Sequence, residues 1–519
     1  MNLSSFKTTP SFLKAAAGAL FISATVCMLF VTRRGIGFYS DSDLYIQMAR
    51  NFYRGLGFTT FDGEGPIVPV IDYPPFFSFL LSISQWFGAD PLPGARWLNS
   101  ILFGMNLCLV GWIIYRGTYK SLPAAFLGML FLFSSEDILQ IHSMVWSEPA
   151  FIMLTFSGLL LLSNYLNRPS LLLLVSSAAA LALSALTRYV GVAGIAAAAI
   201  GILLLSSKNL PQRLKHCFLF LMISGIPVIL WMGRNIRGTG QSTGRRFMIH
   251  PQITLPMLRS IQRTISMWLL QGPVRGDVLI GVAGTAGIGI IIWLALPRQD
   301  RQASLLTKDI ALQLLFMTSY GAVVLASQVF LQNDLLLDCP RILSPLHVSA
   351  IICLACLASS LARSAFLAFK ARIAAWTVCL MMGGLFLWRG GQWVYETQKD
   401  GQGYASQRWK QSSVIELVKG LPRQLQVYSN APYPILVYAD RGCSLLPIKA
   451  SLNTGGINPA YLEEMGDLKE EFHKGHAVLI YFKSSNDSEA VPSLSEVKKL
   501  IPLETMSQAT DEGAYRGAH

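Results

Sequence analysis

Two aspartates, Asp41 and Asp43, stand in the stretch FYSDSDLYIQMARNFYRGLGF (38–58), directly after the first strongly apolar segment. Aspartate is a good residue to cap the start of a helix, and we expect an amphipathic helix at the membrane surface to begin near Leu44. A carboxylate at the edge of the hydrocarbon is also partly desolvated, which raises its pKa and suits it to take a proton from a hydroxyl or an amine. Both interpretations apply to this pair, because one residue can both cap a helix and react.

A long stretch at 234–276 is rich in arginine and contains no aspartate or glutamate. It includes the Gly-rich run RGTGQSTGRR (237–246). Such a surface can lie on anionic lipid headgroups, and it can equally form a pocket for a phosphate, whose oxygens bind guanidinium groups in a bidentate manner. The candidate phosphate ligands in this stretch are Arg234, Arg237, Arg245 and Arg246.

Further candidates stand near the ends of other apolar segments. Glu148 begins one such segment, where a negative charge favours the start of a helix, and His142 lies shortly before it in the polar stretch 134–149, which we expect to be an exterior loop. With Asp41, these side chains could also bind a divalent cation or sugar hydroxyls, although their spacing matches no dedicated metal motif. Arg188 and Arg341 each stand at a helix end, where they either extend to the membrane surface or join a phosphate site.

The composition shows the setting of these residues. The 519-residue chain is 52% hydrophobic and only 14% charged, which excludes an ordinary soluble protein. Apolar runs recur through residues 1–390, each about the length that crosses the hydrocarbon as a helix, and they predict a polytopic α-helical membrane domain of about eleven transmembrane helices. The net charge of +13 is explained by basic loops that orient these helices, so we expect no nucleic-acid partner.

The charges also predict the orientation of the chain. Lys7 and Lys14 precede the first span, and every short basic loop falls on the same side as these lysines. By the positive-inside rule the N-terminus is cytoplasmic, and the long segments 32–96 and 234–276 are exterior loops. The remaining segment, 391–519, is also placed outside.

The C-terminal segment has a different pattern from the rest of the chain. Residues 414–421 and 494–501 have the composition of helices, and residues 426–430 and 476–482 have the composition of strands. Helices alternating with strands predict a small exterior α/β domain at 391–519.

Taken together, these segments resemble the GT-C membrane glycosyltransferases, in particular the bacterial, family 39-like branch related to protein O-mannosyltransferases and to the aminoarabinose transferase of lipid A. The similar pieces extend over most of the chain, and their order and exterior position carry the resemblance. They are SDSDLYIQMARNFYRGLGF (40–58), YPPFFSFLL (73–81), WSEPAFIML (146–154), LTRYVG (186–191), PRILSPL (340–346) and VYSNAPYPILVYADRG (427–442).

The resemblance implies a function and roles for particular residues. It implies an inverting transfer of a sugar from a polyprenyl-phosphate donor to a glycan, lipid or protein acceptor, on the exterior face of the cell (inner) membrane. The family's base is an acidic residue of the first exterior loop, and Asp41 matches it by its offset from Tyr45. Asp43 is not part of the usual pattern, and it either supports the site as a metal or sugar ligand or simply caps the helix. The loop that binds the lipid phosphate in the family corresponds to the Arg-rich stretch. No cofactor is required, and a divalent cation is left as an open alternative.

Two other classes of protein are compatible with the same composition. A multi-pass transporter or lipid flippase would usually show inverted repeats and broken helices at matched positions, and the sequence shows no internal repeat. A non-catalytic assembly protein would act through its C-terminal segment, and Asp41 would then be dispensable.

Overall fold

The computed structural model describes most of the chain, including the stretches that carry the candidate residues Asp41, Glu148 and Arg341. The described residues are 10–61, 67–245, 247, 255–270, 307–331, 340–363, 369–439, 441–450, 457–483 and 490–518. Arg246 and the predicted span at 278–296 lie outside them.

Helices form almost all of the described chain up to Asp400. A short antiparallel hairpin, in which Thr59 pairs with Pro69 and Phe61 with Ile67, interrupts them. In chain order the elements are α1 (Pro10–Val31), α2 (Ser40–Tyr53), β1 (Thr59–Phe61), β2 (Ile67–Pro69), α3 (Phe76–Trp86), α4 (Pro91–Gly117), α5 (Leu122–Ser134), α6 (Glu136–Ser143), α7 (Glu148–Asn167), α8 (Leu171–Thr187), a 3-10 turn (Tyr189–Gly191), α9 (Val192–Leu205), α10 (Leu210–Thr239), α11 (Leu255–Leu270), α12 (Lys308–Phe330), α13 (Pro340–Arg363) and α14 (Phe369–Asp400).

Five of the described helices are long and apolar enough to cross a membrane, namely α4, α7, α10, α12 and the first part of α13. Helices α5 and α6 together would form a sixth span, bent by 59°. Helices α1, α8 and α9 contain shorter apolar segments. The chain is therefore a multi-pass helical protein, and the expected number of about eleven spans stays a prediction.

Close packing of α7 against α8 sets the position of two candidate residues. A Cβ atom on Gly158 would lie 2.7 Å from Leu181 Cγ, so only glycine allows this approach of the two helices. Thr155 Oγ1 and Ser184 Oγ are 2.6 Å apart across the same interface. Because α7 begins at Glu148 and the antiparallel α8 ends just before Arg188, this pair brings the two side chains to the same end of the bundle.

The described part of segment 32–96, which the sequence predicts to be an exterior loop, folds onto that end of the bundle. The buried side chains of Tyr45 and Ile46 on α2 pack with Phe77 on α3 and with Val145 and Ala150 beside the start of α7. Helix α2 has its apolar residues on one face, as expected for a helix that lies along the surface of the bundle. The first turn of α2, which carries Asp41, is held next to the start of α7.

The structure differs from the expected polar loop at 134–149. The chain turns at Ser135 and continues as α6, in which Asp137 is 6% exposed and His142 is 1% exposed. The reason is the apolar side chains Ile138 and Ile141, which pack into the core and bring the polar residues of the same helix inside with them.

The Arg-rich stretch also contains more helix than a loop would have. Helix α10 continues to Thr239 and ends at Gly240, which has φ +75° and is therefore in the left-handed conformation that ends many helices. Arg234 and Arg237 thus lie on the last turns of α10, and α11 lies within the same stretch.

The chain after Asp400 forms a five-stranded sheet with helices on it. The strand order is β4-β3-β5-β7-β6, in which β4, β3 and β5 are parallel and β7 and β6 are antiparallel to their neighbours. Hydrophobic clusters cover the two faces, one around Val427 and the other around Leu479. The elements are α15 (Gln407–Lys410), α16 (Ser413–Gly420), β3 (Gln426–Ser429), α17 (Pro432–Ala439), β4 (Ser444–Leu445), α18 (Tyr461–His473), β5 (Ala477–Phe482), α19 (Leu494–Leu500), β6 (Leu503–Gln508) and β7 (Glu512–Gly517).

Candidate active site

Four charged residues from four helix ends form one ion network, which we call the Asp41 network. Arg341 Nη1 donates to Asp41 Oδ2 over 2.6 Å, and Arg341 Nε donates to Glu148 Oε1 over 2.5 Å. Arg188 Nη1 donates to the same Oε1 of Glu148. The network therefore consists of Asp41, Glu148, Arg188 and Arg341, and it joins the two acids that the sequence suggested as partners to two arginines from other helix ends.

The members of the Asp41 network differ in their access to solvent. The side chain of Glu148 is 1% exposed, those of Arg188 and Arg341 are 17% and 15% exposed, and that of Asp41 is 32% exposed. Buried charges are stable only when they are paired, and two carboxylates here balance two guanidinium groups. Asp41 is the carboxylate of the network that an incoming molecule can reach.

The tripeptide before and at the start of α7 supports both arginines. The guanidinium of Arg341 lies 4.3 Å from the centre of the Trp146 ring, a cation–π distance. Ser147 Oγ accepts a hydrogen bond of 3.1 Å from Arg188 Nη1. Glu148 is the first residue of α7, where the helix dipole favours its negative charge. One short segment thus supplies a ring, a hydroxyl and a carboxylate to the two guanidinium groups.

Tyr45 fixes the position of Asp41, which lies one turn earlier on α2. The Tyr45 hydroxyl is 3.1 Å from Ser147 Oγ, and its ring packs edge-on against Tyr73 at 4.9 Å and Phe77 at 5.1 Å. Burial raises the pKa of Tyr45 to about 12, so this hydroxyl stays neutral and serves as a hydrogen-bonding anchor. The anchor ties α2 to the start of α7.

Asp43 occupies a different place from Asp41, although only one residue separates them. It is 5% exposed, and its carboxylate accepts a hydrogen bond from Gln47 Nε2 on the next turn of α2. Gln47 Oε1 in turn accepts from Thr60 Oγ1 on β1 over 2.5 Å. Burial raises the pKa of Asp43, and the Gln47 hydrogen bond and the charge of Arg50 oppose that shift. Asp43 therefore joins α2 to the hairpin.

The arginines of the Arg-rich stretch separate into different environments. Arg234 donates to the carbonyl oxygens of Phe58 at 3.2 Å and Val70 at 3.4 Å, which ties the end of α10 to the hairpin. Arg237 is exposed on the last turn of α10. Arg245 lies within electrostatic reach of Arg188. Of the described members of this group, Arg245 is thus the one beside the Asp41 network.

A close contact between two loops places Arg245. A Cβ atom on Gly244 would lie 1.9 Å from Asp72 Oδ1, so the Asp72 carboxylate would have to move, and Gly244 has φ +65°, a backbone conformation that favours glycine. Burial raises the pKa of Asp72, and the positive charge of Arg245 acts in the opposite direction. Tyr189 holds the segment before Asp72, because its hydroxyl donates to the carbonyl of Ile71 over 2.7 Å.

Known structures with the same architecture include several membrane glycosyltransferases. ArnT from Cupriavidus metallidurans bound to undecaprenyl phosphate aligns over 96% of this chain and 98% of its own, with a TM-score of 0.57 and 12% identity. The oligosaccharyltransferase AglB from Archaeoglobus fulgidus, in complex with an inhibitory peptide and a dolichol-phosphate, aligns over 98% of this chain and 75% of its own, with a TM-score of 0.50 and 11% identity. The arabinofuranosyltransferase AftD from Mycobacteria aligns over 98% of this chain and 40% of its own, with a TM-score of 0.54 and 13% identity.

The chain has the GT-C fold. The resemblance predicted from the sequence pieces is therefore confirmed at the level of the fold. No family model matches the chain, and no curated protein sequence matches it. At these low identities the roles of individual residues have to be argued from the geometry of this GT-C chain.

His142 lies apart from the Asp41 network of this GT-C fold. Its Nε2 is 3.1 Å from Asn106 Nδ2, and its Nδ1 is 2.7 Å from the carbonyl oxygen of Ile138. Its ring packs edge-on against Phe103 at 5.0 Å. Both ring nitrogens are thus occupied by protein groups, and the structure gives His142 a packing role.

The residues of the Asp41 network do not present a metal-binding set. The guanidinium of Arg341 lies between the carboxylates of Asp41 and Glu148, where a bridging cation would have to bind. Among the residues that the structure describes, no group of three or more His, Cys, Asp or Glu side chains could hold a metal ion. We therefore derive no step through a metal.

Sequence reasoning missed several members of the site. Tyr45 was used only to align Asp41 with the family's base. Trp146 and Ser147 were part of the similar piece WSEPAFIML (146–154) but were given no role. Asp72, the partner of the Gly244 segment, directly precedes the YPPFF run. A usable signal existed for Trp146 and Ser147, since both adjoin a candidate acid at a helix start, whereas Asp72 had no signal of its own.

Proposed function

We propose that this chain is an integral membrane glycosyltransferase that moves a sugar from a polyprenyl-phosphate donor to an acceptor, with Asp41 as the general base. The observation that carries the proposal is the Asp41 network, in which a partly exposed carboxylate is held beside two arginines at one end of a GT-C helix bundle. The ArnT structure contains undecaprenyl phosphate and the AglB structure contains a dolichol-phosphate, which supports a lipid phosphate as the donor's carrier here.

Asp41 has the geometry that a base requires. Arg341 holds Oδ2, while Oδ1 has no hydrogen-bond partner among the described residues. An acceptor group can therefore approach Oδ1 and give up its proton as it attacks the sugar. A single displacement of this kind inverts the anomeric carbon and requires no second carboxylate as nucleophile.

The arginines beside Asp41 suit the other half of the reaction. As the bond from the sugar to the lipid phosphate breaks, negative charge accumulates on the phosphate oxygens, and fixed guanidinium groups stabilise it. Arg188 and Arg341 are fixed by Glu148, and Arg245 lies within electrostatic reach of Arg188. We assign the phosphate to these three residues. Arg234 and Arg237 then act at the edge of the site, Arg234 by holding the hairpin.

The orientation of the chain supports an exterior site. Basic residues lie in the last turn of α4 at Arg116, after that helix at Lys120 and before α10 at Lys208, at the bundle end opposite the Asp41 network. The positive-inside rule places these residues in the cytoplasm. We therefore propose a multi-pass protein of the cell (inner) membrane with the N-terminus inside, and with the Asp41 network and the sheet of residues 426–517 outside.

The test compares two aspartates that lie on the same helix. A strain that lacks the chain would be complemented with the wild type, Asp41→Asn or Asp43→Asn, and its envelope glycans would be compared by mass spectrometry. General-base catalysis contributes about 100- to 10,000-fold, so Asp41→Asn should lose the transferred sugar while Asp43→Asn retains it. As a control, the wild type and both variants should be present in the membrane in equal amounts of folded protein. Normal glycan in the Asp41→Asn strain would contradict the role of Asp41, and it is the result that an assembly protein predicts.

A further inference from the structure

Three tyrosines from separate parts of the chain meet beside the first turn of α2, and we call them the tyrosine cluster. Tyr39 directly precedes α2, Tyr404 lies between α14 and the sheet, and Tyr433 is in the first turn of α17, just after the carboxyl end of β3. The ring centroids of Tyr39 and Tyr404 are 5.5 Å apart, and those of Tyr404 and Tyr433 are 6.2 Å apart. The cluster thus spans the junction between the helix bundle and the C-terminal sheet.

The junction is held rigidly by backbone contacts. The amide nitrogen of Tyr404 donates to the carbonyl of Phe38 over 3.0 Å, and the hydroxyl of Tyr438 donates to the carbonyl of Tyr404 over 2.7 Å. Gly403 has φ +50°, and a Cβ atom there would lie 2.6 Å from the Phe38 carbonyl oxygen. The position of the cluster relative to Asp41 is therefore set by the backbone, since Phe38 is only three residues before Asp41.

The cluster is accessible and faces the acidic side of the site. The side chain of Tyr39 is 44% exposed, and those of Tyr404 and Tyr433 are half-buried. Within the described part of the chain, the hydroxyl groups of Tyr404 and Tyr433 make no hydrogen bond to another protein group. Burial raises the pKa of Tyr433, and the negative charges of Asp43 and Asp41 raise it further, so both carboxyl groups act on Tyr433 electrostatically.

We propose that the tyrosine cluster, built from Tyr39, Tyr404 and Tyr433, is the acceptor subsite of this enzyme and that the acceptor it binds is a sugar residue of a glycan. This inference rests on the proposed function, because it places the nucleophile beside Asp41. It assigns the C-terminal sheet a direct part in binding the acceptor, through Tyr433.

The chemistry of the cluster fits a sugar better than the other candidate acceptors. Tyrosine presents an apolar ring with a polar tip, and a sugar ring presents an apolar C–H face with hydroxyls at its edge, so the two surfaces match. The three residues of the cluster include no cation, so the cluster itself offers no charge to pair with an anionic acceptor such as a phosphate. A neutral ligand with several hydroxyls satisfies both the rings and the carboxyl groups.

With a sugar hydroxyl bound at this subsite, every bond and proton of the transfer reaction can be accounted for. A hydroxyl of the stacked sugar gives its proton to Asp41 Oδ1, and its oxygen forms the new bond to the anomeric carbon of the donor sugar. The bond between that carbon and the lipid phosphate breaks, and its electron pair leaves with the phosphate. Atoms and charge balance without an added oxidant, reductant or co-reactant.

Photo-crosslinking in the full-length protein tests the class of the acceptor. The photoreactive amino acid p-benzoylphenylalanine would replace Tyr433 in cells, and the matched control is the same replacement at Tyr461, which packs on the opposite face of the sheet. After irradiation and purification, acid hydrolysis of the adduct at position 433 should release sugars, and the adduct at 461 should release none. Adducts at 433 that contain only peptide or phospholipid, or no adduct at all, would overturn the inference.

Substitutions distinguish this inference from the proposed function. Loss of one aromatic stacking partner should lower the rate of glycan formation in Tyr433→Leu by about 3- to 10-fold, and Tyr433→Phe, which keeps the ring and loses only the hydroxyl, should lose less of the rate than Tyr433→Leu. Tyr461→Leu is the control for a tyrosine lost from the same domain, with thermal unfolding of each purified variant as the readout of folding. Equal rates for Tyr433→Leu and wild type would overturn the subsite. Failure of the proposed function would instead show as intact glycan in Asp41→Asn.

Discussion

Arg341 donates a hydrogen bond of 2.6 Å to Asp41, a residue 300 positions away in the sequence. The same guanidinium also donates to Glu148, so one side chain joins the proposed base to a buried acid. The flat, forked shape of the guanidinium allows two bonds in fixed directions. The position of the base thus depends on a residue at the start of α13, and this dependence leads to the first prediction.

Substitution of Arg341 by lysine should show how much of the activity depends on the positive charge and how much on the geometry of the guanidinium group. Arg341→Lys keeps the positive charge but has one ammonium group on a flexible chain, which cannot hold both carboxylates in the same directions. A displacement of about 1 Å at the base costs on the order of 100-fold in rate. We expect a loss of this size in glycan formation with normal membrane insertion. Arg408→Lys, in an exposed pair with Asp511, is the control and should retain the wild-type rate; a matching loss there would refute the argument.

Removal of the charge on Glu148 should destabilise the fold. Glu148→Gln leaves the buried guanidinium groups of Arg188 and Arg341 with one negative charge fewer, and breaking a buried ion pair costs about 3 to 5 kcal/mol. Thermal unfolding of the purified protein in detergent measures this effect. The exposed pair of Glu504 and Arg516 provides the control, since Glu504→Gln should cost at most about 1 kcal/mol. Similar unfolding temperatures for the two variants would show that the Asp41 network does not stabilise the bundle.

The burial of Asp43 predicts a pH dependence of stability. Burial raises the folded-state pKa of this carboxyl above its usual value of 3.8. Such a group stabilises the folded state most when it is protonated, and that contribution is lost as the pH rises through the folded-state pKa. Asp43→Asn has no such proton to lose. Its unfolding temperature should therefore rise relative to wild type as the pH is increased above 3.8, the usual value for this carboxyl.

The control for this measurement is a surface aspartate. Asp467 is exposed on α18, so the difference in unfolding temperature between Asp467→Asn and wild type should stay constant over the same pH range. A constant difference for Asp43→Asn as well would mean that the Gln47 hydrogen bond and the charge of Arg50 cancel the effect of burial.

Two glycines of the Arg-rich stretch form a matched pair for testing the position of Arg245. Gly240 and Gly244 have φ of +75° and +65°, so alanine strains the backbone similarly at both. A Cβ at Gly240 would meet nothing within 4 Å, whereas one at Gly244 would collide with Asp72. Gly244→Ala should thus push the Asp72 carboxylate away from Gly244, disturb its charge interaction with Arg245, and weaken binding of a synthetic polyprenyl phosphate by about 10-fold relative to Gly240→Ala. Equal affinities for the two variants would remove Arg245 from the phosphate site.

The sequence predicted four of the helices and strands of the C-terminal segment closely. The expected helices at 414–421 and 494–501 and the strands at 426–430 and 476–482 lie within one residue of Ser413–Gly420, Leu494–Leu500, Gln426–Ser429 and Ala477–Phe482. These elements are short runs of apolar and polar residues with a clear period, and each buries its apolar side against a neighbour. Strands β6 and β7 were not predicted, because β6 is largely exposed and its pattern of polar residues resembles a loop.

The sequence by itself determined that this is a multi-pass helical chain with acids and arginines at its helix ends, because apolar length and charge distribution act locally along the chain. Only the tertiary structure decided that Arg341 holds Asp41 and Glu148, that Asp43 joins the hairpin, and that Tyr433 reaches the junction beside α2. These contacts depend on how helices far apart in the chain pack, and on close approaches such as that of Gly158 to Leu181. The sequence shows which residues are available for such contacts, but which of them pair with each other is decided only when the helices pack together.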